Sequence, residues 1–305
     1  MRRALLTLLS ITMMIGISQT GCGSDSSGPE STGPIPGTLR VGLIPNIAPE
    51  QQQAKYGPFA AYLRKRLGVD VELFVAADYA GVVAALVGDR IDVAYLGGLT
   101  YVQAERQVKL TPLVTEIDQL TGTPRYDSAI VVRSDAPFQK LQGDIVSAGR
   151  SFAFGDVSST SGSLYPRIML SEAGAQCSVR KMDECPPLER VLFTGGHDAT
   201  AQAVLSGKVD AGGIELRILR RLENDGKVPQ GALRVVQQRQ VQGYPWVMRD
   251  ALGEPVKHAL VDAFTSITDA ALLDLMRARG YVAIGAPDYE EIRQHATRLG
   301  LLATS

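Results

Sequence analysis

The sequence predicts an α/β protein of two lobes with a ligand cleft between them. Short β-branched runs alternate with stretches of helical spacing, the alternation restarts near residue 128, and a helical tail closes the chain. The 305 residues, 45% hydrophobic and 21% charged, suffice for two ordinary domains. With 31 Lys and Arg against 32 Asp and Glu, the net charge of −1 leaves no basic excess for a nucleic-acid backbone, so no nucleic acid is expected as partner. A mean hydropathy of +0.03 argues against a multi-span membrane protein. The three cysteines form no Cys-x-x-Cys, and neither a metal site nor a cofactor is expected.

The chain opens as an address. Arg2 and Arg3 precede an apolar run over 4–17 that is too short for a stable span and fits the core of a secretory signal peptide, taken as residues 1–21. Gln19-Thr20-Gly21-Cys22 resembles the lipobox of bacterial lipoproteins, in which the cysteine is acylated; Gln19 departs from the apolar residue usual there. Residues 22–38 read as that lipidated Cys22 and a flexible Ser/Gly/Pro tether, which would anchor the protein to a membrane on the periplasmic or outer side. In an oxidising compartment Cys177 and Cys185, both in one polar segment, are candidates for a local disulfide.

Folded structure is expected from Leu39. Residues 39–45 and 69–75 read as strands flanking a helix over 50–67, which Gly68 ends as a C′ glycine. Asp78 is a natural N-cap for a helix to Val87. A strand over 91–95, a helix over 100–107 and a strand over 110–116 complete the first lobe, 39–127. The second lobe, 128–245, takes strands at 128–132, 152–154, 191–193, 209–212 and 233–236, with a helix-like segment at 138–147 and helices at 160–172, 199–206 and 215–222. Residues 246–305 return to the first lobe through a strand at 246–248 and helices at 255–264, 269–277 and 289–299. βαβ units imply parallel sheets, whose strand C-termini and helix N-termini face the cleft.

Those turns hold the candidate chemistry. Ser158-Ser159-Thr160-Ser161-Gly162 puts hydroxyls and free backbone N–H groups at a helix start, a setting suited to a tetrahedral oxyanion. It lacks the lysine of a nucleotide-phosphate loop, and simple N-capping by one serine is the plain alternative. Gly195-Gly196-His197-Asp198 permits close backbone approach, with Asp198 as acceptor for a protonated P–OH; an N-cap beside a packed imidazole is the alternative. Tyr79 and Tyr126 could offer phenol donors, or simply pack.

Ala77-Asp78-Tyr79-Ala80-Gly81, Tyr126-x-Ser128, Ser159-Thr160-Ser161-Gly162, Gly196-His197-Asp198-Ala199 and Val209-Asp210-Ala211-Gly212, in that order, resemble the phosphonate-, phosphite- and phosphate-binding periplasmic proteins of ABC importers. The likeness spans about residues 39–285 and implies a type II periplasmic-binding fold, hinged, with its ligand cleft between the lobes. It places the anion on Ser159, Thr160 and Ser161, with Tyr79, Tyr126, His197 and Asp198 completing the shell. In relatives that take aminoethylphosphonate an acidic residue meets the amine; here Tyr244 stands at that place, while Glu215 lies near a second acidic position at a different spacing. The resemblance therefore implies a non-enzymatic binding protein passing phosphite, a small alkylphosphonate or phosphate to an ABC permease. An oxyanion sensor, for arsenite for example, partnering a membrane kinase is the competing expectation, and a thiol in the cleft would favour it. An exported Ser/His/Asp hydrolase is a third, with no nucleophile elbow to support it.

Overall fold

The computed structural model describes residues 35–178 and 180–302, so the expected signal peptide, Cys22 and most of the tether lie outside the described residues. The chain runs β1 (Thr38–Leu43), α1 (Pro49–Leu67), β2 (Asp70–Val75), α2 (Tyr79–Val87), β3 (Val93–Tyr95), α3 (Gly98–Ala104), β4 (Leu110–Asp118) and β5 (Arg125–Arg133). A π-helical turn, Leu141–Val146, precedes β6 (Phe152–Phe154), and a second, Thr160–Leu164, leads directly into α4 (Tyr165–Glu172). Then come β7 (Val191–Phe193), α5 (His197–Leu205), β8 (Ala211–Glu215), α6 (Leu216–Asn224), β9 (Leu233–Gln242) and β10 (Trp246–Arg249). The chain closes with α7 (Gly253–Thr265), α8 (Ala270–Leu275), β11 (Ala278–Ala283) and α9 (Glu290–Arg298).

Local chemistry explains the boundaries. Pro49 opens α1 at a position where the missing N–H is harmless, and Gly68 ends it in the left-handed region at φ 70°. Asp78 caps α2 by accepting from the Gly81 amide at 2.8 Å. Leu39, Val41 and Leu43 of β1 are fully buried, each contributing about 2 kcal/mol of apolar burial. Asp210 accepts from both the amide and the hydroxyl of Ser151, at 3.0 and 2.7 Å, so the Val209-Asp210-Ala211-Gly212 run fastens the start of β8 beside β6.

Two sheets result, one of six strands ordered β11-β4-β10-β3-β1-β2 and one of five ordered β7-β6-β8-β5-β9. Neither is purely parallel, as βαβ reading alone expected. β1 pairs parallel with β2 and β3, and β6 with β7 and β8, whereas β10, β11, β5 and β9 run antiparallel to their neighbours. The chain leaves the first sheet at β4 and re-enters it at β10 through Gly243-Tyr244-Pro245, and a returning strand inserts head to tail. β11 lies just past the helix expected over 269–277, on residues given no element in sequence: α8 stops at Leu275, and Arg277 reverses the chain at φ 58° with no glycine to signal it. The segment expected as a helix over 138–147 is the π-helical turn Leu141–Val146. Cys177 and Cys185 are joined in a disulfide. Trp246 lies in the core of the first sheet, stacked among Phe59, Tyr95 and Phe264 at centroid distances of 4.9–5.1 Å.

Candidate functional site

The helix starts of the two sheets meet. From the first sheet come the β1–α1 turn and the N-termini of α2 and α3; from the second come the 156–162 turn and the N-termini of α5 and α6. Contacts across this junction are specific. The Leu99 amide at the start of α3 donates to Thr160 Oγ1 at 2.9 Å, and Thr100 Oγ1 donates to the Ser158 carbonyl at 3.0 Å. The His197 amide donates to the Asn46 carbonyl at 3.1 Å, and the Ala48 amide to Asp198 Oδ2 at 3.2 Å.

Around the 159–162 turn the expected residues converge. Ser159 caps it by accepting from the Gly162 amide at 3.0 Å, and the Tyr79 phenol lies beside its hydroxyl. Ser128 Oγ donates to the Ser161 carbonyl at 3.0 Å, which fixes the turn and explains the serine in Tyr126-x-Ser128. Gly162 is needed for close approach: a Cβ there would sit 2.9 Å from Ser159 Oγ and 3.2 Å from His197 Cε1. Ser161 Oγ and the Tyr126 hydroxyl are buried beside one another without a hydrogen-bond partner. Burial pushes the Tyr79 and Tyr126 phenols up, so both remain neutral donors.

His197 is 1% exposed, and burial lowers its pKa to about 4. Nδ1 accepts from the Glu215 amide at 3.3 Å, which leaves the proton of the neutral ring on Nε2, a buried donor with no partner. Asn46 Nδ2, beside it on the β1–α1 turn, is a further buried donor without a partner. Asp198 stands apart. Its two oxygens accept from the Ala48 and Ala199 amides, so it clasps the two sheets and retains one free lone pair on each oxygen. No serine bonds His197, and the imidazole and Asp198 do not bond each other, so the hydrolytic relay is not assembled.

Behind these donors lies a charged group that sequence reasoning weighed only in part. Glu215, fully buried at the end of β8, takes Arg217 Nε on Oε1 at 2.6 Å and the Tyr244 hydroxyl on Oε2 at 2.6 Å. Desolvation pushes its pKa up, but Arg217, Arg277, His197 and Tyr244 outweigh that and hold it at about 2. The Arg217 guanidinium also lies 4.7 Å from the Tyr126 ring centroid and 3.3 Å from Asp118 Oδ2. Arg217 and Arg277 were missed because a charge at a helix start or just past a helix end reads as surface. The strand-to-helix turn logic, applied at 215, was the available signal for Glu215. The described cysteines are bonded to each other, so neither offers a thiol to a thiophilic oxyanion.

Comparison with known proteins accords with this geometry. Residues 41–289 match the family model for the phosphonate periplasmic substrate-binding proteins of ABC transporters. The phosphate-import protein PhnD of Mycolicibacterium smegmatis is 31% identical over 288 residues, covering 88% of this chain and 89% of that protein. A probable phosphite-binding protein PhnD1 of Prochlorococcus marinus is 25% identical over 277 residues, covering 87% and 90%. The structure of Prochlorococcus marinus PhnD1 in complex with methylphosphonate superposes with a TM-score of 0.76 at 24% identity, covering 87% of this chain and 99% of that one, a likeness of fold. With the family model matching most of the chain and the mycobacterial protein aligned over nearly its full length, this protein belongs to the periplasmic substrate-binding proteins of phosphonate ABC transporters.

Proposed function

We propose that this periplasmic substrate-binding protein captures a small phosphorus oxyanion without an amine, namely phosphite, methylphosphonate or another small alkylphosphonate, or phosphate. The protein would hand it to the permease of its ABC importer. Ser159, Thr160 and Ser161 with Tyr79, Tyr126, His197 and Asp198 form the proposed shell, and Asn46 joins them. The observation that carries the reading is a set of buried donors without protein partners: Ser161 Oγ, the Tyr126 hydroxyl and His197 Nε2. Each is neutral, and neutral hydrogen bonds hold an anion less tightly than lysine or arginine would, which suits capture followed by release. Asp198 would accept from a protonated P–OH with its free lone pairs while clasping the β1–α1 turn, so ligand and closure reinforce each other.

The absence of an amine from the ligand rests on Glu215. Its two oxygens accept from Arg217 and Tyr244, and Arg277 lies 3.8 Å from Oε1, so its charge is offset within the protein and Glu215 offers no uncompensated charge to an ammonium group. The relatives named for phosphate import and for phosphite binding accord with that ligand class. As read from sequence, Cys22 would carry a lipid that keeps the protein at the membrane beside its permease. Calorimetric titration with phosphite, methylphosphonate, phosphate and 2-aminoethylphosphonate tests the reading. One of the first three should bind tightest, and tightest binding by 2-aminoethylphosphonate would overturn it.

A further inference from the structure

A cavity of about 270 Å³ opens beside α6, α8 and the β4–β5 turn, and none of the proposed oxyanion residues lines it. Four guanidiniums face it, those of Arg217, Arg220, Arg221 and Arg277, against two carboxylates, Asp225 and Asp274. Its floor and rim differ. Arg217 and Arg277 at the floor are only 4% and 6% exposed, whereas Arg220, Asp225 and Asp274 at the mouth are exposed.

The guanidinium N–H groups at the floor are incompletely matched, although the carboxylates of Glu215, Asp118 and Glu116 are buried near them. Arg217 spends Nε on Glu215 and Asp118, and its Nη2 has no partner. Arg277 comes no nearer than 3.8 Å to Glu215, and both its Nε and its Nη2 are buried without a partner. Buried guanidinium N–H groups without acceptors are costly, and protein interiors normally supply a carboxylate or phosphate to match the fork. Arg277 is also held at φ 58°, one of two non-glycine residues with positive φ among the described residues, at a helix C′ position that favours glycine. An arginine kept where the backbone favours glycine indicates that its side chain is wanted. Lys55 of the neighbouring helix senses the same concentration of cations: burial, then Arg277 and Arg221, lowers its pKa to about 6.

We propose that this cavity is a second anion site, separate from the oxyanion cleft, that takes a compact polyanion bearing two oxyanion groups. One group is held by Arg277 and Arg217 at the floor, the other by Arg221 and Arg220 nearer the mouth. A single small anion would engage the floor pair alone; at the mouth Arg220 holds Glu223 and Arg221 holds the Asp274 carbonyl through one nitrogen each, both at 2.8 Å, and their remaining N–H groups would take the second oxyanion. The cavity is smaller than sites built for larger organic ligands. A polycarboxylate and a diphosphate share the required chemistry. This assignment does not depend on which ligand the cleft takes.

The test is a thermal-shift and calorimetric titration of the full chain with citrate and, separately, with pyrophosphate, each against sodium chloride at matched ionic strength. Citrate, pyrophosphate or both should raise Tm saturably beyond the chloride control, and the arm that responds names the source. Arg277→Gly suits the backbone at φ 58° and should weaken that affinity at least about tenfold, the loss of charge-assisted bonds at a buried site. Arg221→Ala, at a partly exposed side chain, should weaken it about threefold and decides the matter if the glycine variant does not fold. Ser161→Ala should leave polyanion affinity unchanged. No shift beyond chloride, an equal shift in every variant, or a shift lost in Ser161→Ala and kept in Arg277→Gly would each overturn the proposal. The last result would place the polyanion in the cleft.

Discussion

The Tyr244 hydroxyl donates to Glu215 Oε2 at 2.6 Å, and this contact joins the segment returning to the first sheet with the end of β8 in the second. Tyr244 also stacks on Tyr95 at 5.2 Å and on Tyr126 at 5.1 Å between ring centroids. One residue thus ties the charged group behind the site to the phenol proposed to face the ligand. A carboxylate buried at this depth persists only because Arg217 and Tyr244 occupy both of its oxygens.

Tyr244→Phe removes one of those two partners and should lower stability by about 2 kcal/mol, the scale of a buried hydrogen bond to a charged group. It also frees Oε2, so affinity for 2-aminoethylphosphonate relative to phosphite should rise several-fold. Glu215→Gln is more severe, because it leaves Arg217 and Arg277 buried without their shared counter-charge; a loss of about 3–5 kcal/mol is expected. Urea unfolding of the three proteins checks the order, and equal stabilities would show that the network contributes nothing.

Ser159 and Ser161 are two residues apart, yet their hydroxyls have different duties. Ser161 Oγ bonds nothing in the protein, so Ser161→Ala should leave the stability of the free protein within about 0.5 kcal/mol while weakening ligand binding by more than about 1 kcal/mol. Ser159 caps the turn, so Ser159→Ala should lower stability by about 1 kcal/mol and weaken binding as well. Calorimetry and unfolding curves on both variants separate the two roles. A Ser161→Ala protein with wild-type affinity would mean the oxyanion lies elsewhere.

Asp198 is expected to act through closure. In Asp198→Ala the Ala48 amide loses its acceptor across the junction, and affinity should fall by more than about 1 kcal/mol. The free protein should also become more expanded, because only the His197 amide to Asn46 carbonyl bond then holds the β1–α1 turn to α5. Small-angle scattering of the ligand-free variant reads this directly, and a radius of gyration equal to the wild type's would leave Asp198 no part in closure.

Much of the fold was legible because its signals are local. Gly68 and Asp78 mark their helix ends by side-chain and backbone chemistry that needs no partner. The serine turn was legible as a helix start for the same reason, since a serine before a helix supplies its own cap. β11 was not legible, because Arg277 ends α8 in a conformation that sequence associates with glycine. The antiparallel entry of β10 depends on where the chain has been rather than on its own composition. Arg217 and Arg277 were invisible as interior charges, because their burial depends on Glu215 and Asp118 being brought to them by other strands. Trp246 packs in an aromatic core against Phe59, Tyr95 and Phe264, a placement its own neighbours in sequence do not signal.

His197 gives stability a dependence on pH with a definite sign. Its folded pKa, lowered by burial to about 4, lies below the 6.5 of the free imidazole. The unfolded chain therefore takes up a proton as pH falls through 6.5, while the folded protein resists until about 4. Stability from the neutral buried ring is complete above pH 6.5 and is lost progressively down to about pH 4, by at most roughly 3 kcal/mol. Glu215, held at about 2 against a usual 4.5, contributes only in the more acidic interval below that value. Between pH 6.5 and 4.5 the difference between wild type and His197→Gln, whose amide does not titrate, thus isolates the histidine. Urea unfolding of ligand-free protein across that interval should show the wild type losing stability more steeply than the variant. Parallel slopes would mean that the imidazole is protonated as readily in the folded chain as in the unfolded one, and the neutral Nε2 donor argued for the site would then give way to a cation below pH 6.5.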